Sequence, residues 1–245
     1  MGSDRASASR RGHAIEKRGK RDVAVADDNV EWALVPQRRT ETVLEHFRRI
    51  YLSLQSGETP EMPPVIGVTS ALAGEGRTTV AAGIAAAMSA DLDAPVVLLE
   101  ANLASPGMHR VMGIAPEPGV SEYLFGESDL STALRQISDR LFVLPAGNAR
   151  NEASRLVRQL TTGDLRNRLS TSGAALVIDL PPVLSSSYGV LASSMADVLA
   201  VVVRSGYATD AQVRDALSRL DESMVRGIVL NATRPQLPHW LMDRL

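Results

Sequence analysis

The segment Ser70–Thr79, SALAGEGRTT, carries the residues with the most readable chemistry in this chain of 245 amino acids. It follows the apolar run Val65–Ser70 and opens an alanine-rich stretch, so it reads as a turn from a buried strand into a helix. Gly74 and Gly76 let the backbone approach an anion with no Cβ in the way. The N–H groups of Gly74, Glu75, Gly76, Arg77, Thr78 and Thr79, with the positive end of the helix behind them, would cradle phosphates. Thr78 stands where a phosphate-loop hydroxyl meets Mg2+. The chemistry implied is binding of a phosphate chain with Mg2+. Measured against G-x-x-x-x-G-K-[ST], however, the first glycine is Ala71 and the lysine is Arg77. A planar guanidinium does not reproduce the point charge of an ammonium. The bland alternative is a strand-to-helix turn that merely needs glycine.

Other chemistries are excluded by composition. There is no cysteine, hence no disulfide framework, thiol nucleophile or thiolate metal site. His13, His46, His109 and His239 lie far apart, without metal-ligand spacing. Lys17 and Lys20 are the only lysines, so every fixed cation from Arg21 onward is an arginine. Hydrophobic residues make up 44% and charged residues 22%, values of an ordinary globular protein, and the net charge of −2 gives no reason to expect nucleic acid. No apolar run reaches the roughly 20 residues that span a bilayer. The Arg-rich start is not followed by a signal-type apolar region. A cytoplasmic location is the expectation.

The elements that must position the loop follow from periodicity. Residues 1–36 form a basic tail expected to be disordered: residues 1–22 hold seven Lys/Arg against three acids, +4, which leaves −6 for the rest. A tail of this charge suits contact with an anionic membrane face. A single domain is expected over 37–245. Its first helix, about 42–56, is predicted from a capping box at Thr42 and Glu45 and from Leu44, Phe47, Tyr51 and Leu54 on one face. Pro60, Pro63 and Pro64 then separate it from the body. Strands are predicted at Val65–Ser70, Pro95–Glu100, Leu141–Pro145, Ala174–Asp179, Asp197–Arg204 and Val225–Asn231. Helices are predicted at Thr78–Ala90, Glu152–Ser170 and Thr209–Ser223. This alternation implies an α/β fold, a mostly parallel sheet covered by helices on both faces. The stretch after Asn231, with Pro235 and Pro238, is expected to dock loosely.

GEGRTT after VIGVTSALA, followed by VVLLEANLASPGMHRVMGI, GVSEYLFGESDL, LFVLPAG, ALVIDLPPV and GIVLN, resembles the bacterial tyrosine kinases of capsule and exopolysaccharide export. The resemblance runs in order from about Thr42 to Asn231. It implies a doubly wound P-loop ATPase domain, kin to the MinD and ParA ATPases. The family's Walker A loop falls on Gly74, Glu75, Gly76, Arg77, Thr78 and Thr79. Its Walker B motif, D-x-P-P, falls on Asp179, Leu180, Pro181 and Pro182, which implies a metal contact at Asp179 beside Thr78. An aspartate before Pro-Pro also serves simply to orient a turn. The second Walker motif, D-x-D-x-R, has changed at all three positions, to Glu100, Asn102 and Ala104. Glu100 is read as a carboxylate at the solvent-facing end of its strand. Asn231 falls where relatives place residues near the base.

The family's oligomerisation motif E-x-x-R-x-x-R matches Glu45 and Arg48, with Tyr51 in the last place, and implies a homo-oligomer through the first helix. The C-terminal tyrosine cluster that neighbouring subunits phosphorylate is missing, since Tyr51, Tyr123, Tyr188 and Tyr207 are the only tyrosines. Positioned charge is worth roughly 10²–10³ in rate per group. The resemblance with these losses implies an impaired kinase, a nucleotide-binding partner of a membrane chain-length regulator. An active ATPase or tyrosine autokinase is the alternative. A MinD/ParA-type positioning ATPase is a third, although its signature lysine falls on Ala73.

Overall fold

The computed structural model describes residues 37–55 and 64–232. The basic tail 1–36, Pro60, Pro63 and the segment after Ala232 lie outside these residues. Seven strands form one sheet: β1 Ile66–Ser70, β2 Val96–Glu100, β3 Arg135–Gln136, β4 Leu141–Leu144, β5 Ala175–Asp179, β6 Val198–Arg204 and β7 Val225–Asn231. Their order is β3-β4-β2-β5-β1-β6-β7, and every pairing is parallel except β3 with β4. The doubly wound α/β fold is as the alternation implied. β1, β2 and β5 are buried along their whole length, as expected of strands covered on both faces.

Nine helices lie among the described residues: α1 Gln37–Leu54, α2 Arg77–Asp91, α3 Met108–Met112, α4 Val120–Phe125, α5 Leu130–Ala133, α6 Ala153–Thr162, α7 Leu165–Thr171, α8 Gly189–Ser193 and α9 Asp210–Ser218. On one face of the sheet, α2 buries Ile84 and Met88 against Ile66, Val68, Leu98 and Val177, and α1 packs outside α2. The opposite face is closed by Leu156, Val157 and Leu160 of α6, Leu165 and Leu169 of α7 and Ala192 of α8. α1 comes close to α2 because position 83 is glycine: a Cβ there would lie 2.4 Å from the Phe47 ring.

Three boundaries differ from the sequence expectation. α1 begins at Gln37 rather than Thr42, whose carbonyl already accepts from His46 Nδ1 within the helix, and it ends at Leu54. The single helix expected over 152–170 is two, α6 and α7, because the chain turns extended at Gly163 (φ −85°, ψ −179°). α9 stops at Ser218 rather than Ser223, where Asp221 accepts from the Ser223 N–H and hydroxyl and holds a turn. The short helices α3, α4, α5 and α8 were not legible, since a single turn has no periodicity to read.

Candidate phosphate-binding site

Because β1, β2, β5, β6 and β7 run parallel, Ser70, Glu100, Asp179, Arg204 and Asn231 all end at one edge of the sheet. From β1 the chain crosses β5 to reach β2, and it later returns to the other side of β1 for β6 and β7. The crevice at such a reversal is where open α/β sheets bind ligands. The glycine-rich loop lies in it, between β1 and α2.

The loop is held by its own residues. Gly74 and Gly76 adopt φ of 83° and 90°, which other residues rarely take. Glu75 is fully buried, and its carboxylate accepts from the N–H of Leu72 (2.7 Å) and of Arg204 (3.2 Å). It therefore braces the loop, and its backbone N–H is the group that could face a ligand. The side chain of Asn231 donates to the Glu75 carbonyl at 2.9 Å, and that of Arg204 to the Gly74 carbonyl at 3.3 Å. Asn231 thus ties β7 to the loop. A Cβ on Gly76 would meet its Nδ2 at 2.1 Å. Tyr207 stands over Gly74, with the Arg204 guanidinium 5.5 Å from its ring centre.

Arg77 opens α2 and is 7% exposed. Its Nε and Nη1 are buried and have no hydrogen-bond partner. Burial holds the guanidinium below its ordinary basicity, while the charges of Asp179 and Glu75 oppose that. Thr78 is half-buried, and its hydroxyl donates to Asp179 Oδ2 at 2.7 Å. Asp179 is wholly buried, with Oδ1 unpartnered. Burial pushes its pKa up to about 7, against the pull of Arg77 and of the Thr78 bond, and repulsion from Glu100 adds to the rise. Thr79 is exposed on the first turn of α2. The unpaired donors of Arg77 and the positive-φ glycines fit a phosphate chain. Thr78 and the orphaned oxygen of Asp179 are the groups that could hold Mg2+ beside it. No group of three or more His, Asp or Glu that could hold a metal occurs among the described residues.

The positions of the second motif are committed elsewhere. Glu100 is 1% exposed, not solvent-facing. Its Oε1 accepts from the N–H of Gly107 (2.5 Å) and Met108 (2.9 Å), and its Oε2 from Ala146 (3.0 Å). The side chain, one methylene longer than aspartate, ties β2 to the start of α3 and to the loop after β4. Asn102 donates through Nδ2 to the Ser105 carbonyl at 2.7 Å, closing a turn. Ala104 brings no charge.

Arg48 faces inward from α1. It pairs with both carboxylate oxygens of Asp91 at the end of α2 (Nε–Oδ2 and Nη2–Oδ1 each 2.8 Å) and with Glu45 at 2.6 Å. The Tyr51 hydroxyl donates to the same Asp91, and burial with that bond pushes its pKa up to about 12. The residues matching the oligomerisation motif are thus engaged within one chain.

Three residues that line the cleft, Gly107, Arg110 and Val111, escaped the sequence reading. A cavity of about 340 Å³ over the loop is lined by Gly74, Gly76, Arg77, Thr78, Gly107, Val111 and Arg110 of α3. Only the GMHR run seven to ten residues after Glu100 marks it in the sequence, and that carries no recognisable motif.

No family model matches the chain. The succinoglycan biosynthesis transport protein ExoP of Rhizobium meliloti is 28% identical over 198 residues, covering 78% of this chain and 25% of ExoP. The tyrosine-protein kinase wzc of Salmonella typhimurium is 24% identical, covering 79% and 27%. The chain therefore spans about a quarter of the length of these relatives. The tyrosine-protein kinase YwqD of Bacillus subtilis is 23% identical over 78% of this chain and 81% of its own. Among solved structures, the kinase domain of the Escherichia coli tyrosine kinase ETK superposes with a TM-score of 0.70 at 21% identity, over 86% of this chain and 83% of that one. The septum site-determining protein MinD of Pyrococcus horikoshii, solved with Mg-ADP, follows at 0.57 and 17%, over 74% and 76%. In sequence the chain is similar to the tyrosine-protein kinases wzc and YwqD and to ExoP, and its fold is that of the ETK kinase domain, with MinD a more distant structural neighbour.

Proposed function

We propose that this chain is a tyrosine-kinase-like P-loop protein of capsule or exopolysaccharide biosynthesis that binds ATP or ADP but is impaired in phosphoryl transfer. One observation carries the reading. The phosphate loop has Gly74, Gly76 and the Thr78–Asp179 pair, while the second motif has become structural: Glu100 accepts from three backbone N–H groups and Asn102 closes a turn. Phosphoryl transfer depends on positioned charge around the γ-phosphate, and that is what these two positions no longer offer. Binding depends mostly on backbone N–H groups and the helix terminus, which remain.

In this reading Gly74–Thr79 would hold the nucleotide's phosphates, and Thr78 and Asp179 would hold Mg2+, which would neutralise phosphate charge. The relatives' names place ExoP in succinoglycan biosynthesis and transport. This chain would act beside a membrane chain-length regulator at the inner membrane face, with the basic tail on anionic lipid. No helix among the described residues is long and apolar enough to cross a membrane. Self-association through α1 would rest on its exposed Val43 and Leu52, since Arg48 is taken up inside the chain.

The retained Thr78–Asp179 pair favours one second reading, an ATPase or autokinase in which Arg77 replaces the lysine. Calorimetric titration with ADP and ATP, with and without Mg2+, beside assays of ADP release and phosphotyrosine, separates the two. Binding without turnover is the expected result. Mg2+-dependent tyrosine phosphorylation abolished by Asp179→Ala would overturn it.

A further inference from the structure

The cleft holds a second cation that neither the phosphate-loop pattern nor the second motif supplies. Arg110, on α3, lines the same cavity as Gly74, Gly76, Arg77 and Thr78. It is exposed, and among the described residues its one hydrogen bond runs from Nη2 to the Pro106 carbonyl at 3.2 Å, which leaves the rest of its fork open. No carboxylate pairs with it among the described residues. A methyl group on Gly107 would come within 3.6 Å of Arg110 Nη2 and 3.9 Å of Thr78 Oγ1, so both side chains reach the space above that glycine. Arg77, 93% buried, presents Nε and Nη1 unpartnered beneath the same loop.

From this geometry we infer that Arg110 is a phosphate-binding residue of the cleft, delivering to the ligand's phosphate chain the mobile charge that the buried Arg77 cannot. The inference rests on the nucleotide-binding reading above and deepens it. A lysine at position 77 would extend a thin, flexible stem to the phosphates. The guanidinium there is instead enclosed, with Asp179 and Glu75 as the charges around it. Arg110 approaches from the solvent side, where a fork of N–H donors can meet two phosphate oxygens at once. The position follows from Glu100, whose Oε1 holds the N–H groups of Gly107 and Met108 and so sets the start of α3 against the loop. The carboxylate that is committed to the backbone at Glu100 thereby helps to place a cation over the site.

The test is calorimetric titration of the full chain and of Arg110→Gln and Arg110→Lys with ADP, ATP and inorganic tripolyphosphate, at low and high salt. Because Arg110 is exposed, both variants should melt with the parent. Arg110→Gln should weaken all three ligands about tenfold, Arg110→Lys should recover part of the loss, and high salt should shrink the difference. Parent-like binding by Arg110→Gln overturns the inference and leaves the nucleotide reading standing. Binding of tripolyphosphate but not nucleotide, still weakened by Arg110→Gln, supports the inference and overturns the nucleotide reading. A parent that binds none of the three overturns both.

Discussion

Thr78 Oγ1 donates to Asp179 Oδ2 at 2.7 Å, which joins the first turn of α2 to the end of β5 across the mouth of the phosphate loop. The bond holds the hydroxyl in place and leaves Asp179 Oδ1 without a partner. Thr78→Ala removes both the candidate metal contact and the donor. We expect ADP affinity measured with Mg2+ to fall about tenfold, a loss of the size of one charge-assisted hydrogen bond. Affinity without Mg2+ should change little. Equal losses in the two titrations would show that Thr78 serves the loop and not the metal.

Restoring the missing lysine should not restore a kinase. Arg77→Lys returns a flexible ammonium to the loop, but Glu100 and Asn102 remain bound to the backbone of α3 and of the Ser105 turn. Arg77→Lys should tighten nucleotide binding while anti-phosphotyrosine signal stays at background, in the single variant and with an added tyrosine-containing acceptor peptide. A signal that appears with Arg77→Lys alone would mean that the second motif is dispensable here.

Glu100 is a structural carboxylate by this geometry, and its removal should cost stability. Glu100→Gln replaces an acceptor oxygen with an NH2 group that must face a backbone N–H, leaving a buried donor unsatisfied. The expected cost is roughly 2–3 kcal/mol, or about 4–12 °C in Tm for a domain of this size. Thermal denaturation followed by circular dichroism measures it. An unchanged Tm with lost nucleotide binding would instead assign Glu100 to the ligand.

Glu75 and Glu100, both buried carboxylates bound to backbone N–H groups, show how far the sequence could be read. The six parallel strands and the β1–loop–α2 unit were legible because β-branched runs and an alanine-rich helix bracket two glycines, whereas the two-residue β3 was not. The loop residues are together, and Asp179 meets Thr78 as the resemblance implied. What the carboxylates do was not legible. Glu75 reads as a loop position acting through its N–H and Glu100 as a solvent-facing carboxylate, yet both are buried and accept from the N–H groups of residues that reach them only through the fold, Arg204 and Ala146 among them. Arg110 and Tyr207 escaped for the same reason. They lie 33 and 130 residues beyond Arg77 in the chain, and no spacing rule connects a side chain to a loop that far away.

Asp179 should make stability depend on pH with a definite sign. Burial raises its pKa from 3.8 to about 7. Between these values the folded state holds more protons than the unfolded chain, so the stability this group provides is full below about pH 4 and lost as pH rises through 7. Asp179→Asn removes the titration. The Tm of the variant minus that of the parent should therefore rise between pH 5 and pH 8, by roughly 5–10 °C. A difference that is flat across this range would place the carboxyl near its ordinary value.

Arg48 tests what became of the oligomerisation motif. Its guanidinium meets both oxygens of Asp91, which also accepts from Tyr51, so the three side chains fasten α1 to the end of α2. The side chains of Arg48 and Asp91 keep 25% and 22% of their exposure, so solvent screens the pair and the loss on breaking it is modest. Arg48→Ala should lower Tm by a few degrees and leave the molar mass from light scattering unchanged, because the interaction lies within one chain. Gly83→Leu should have a larger effect on Tm by pushing Phe47 and α1 off the same helix. If Arg48→Ala instead lowers the mass while Tm holds, Arg48 binds a neighbouring copy in solution and the contact with Asp91 is secondary.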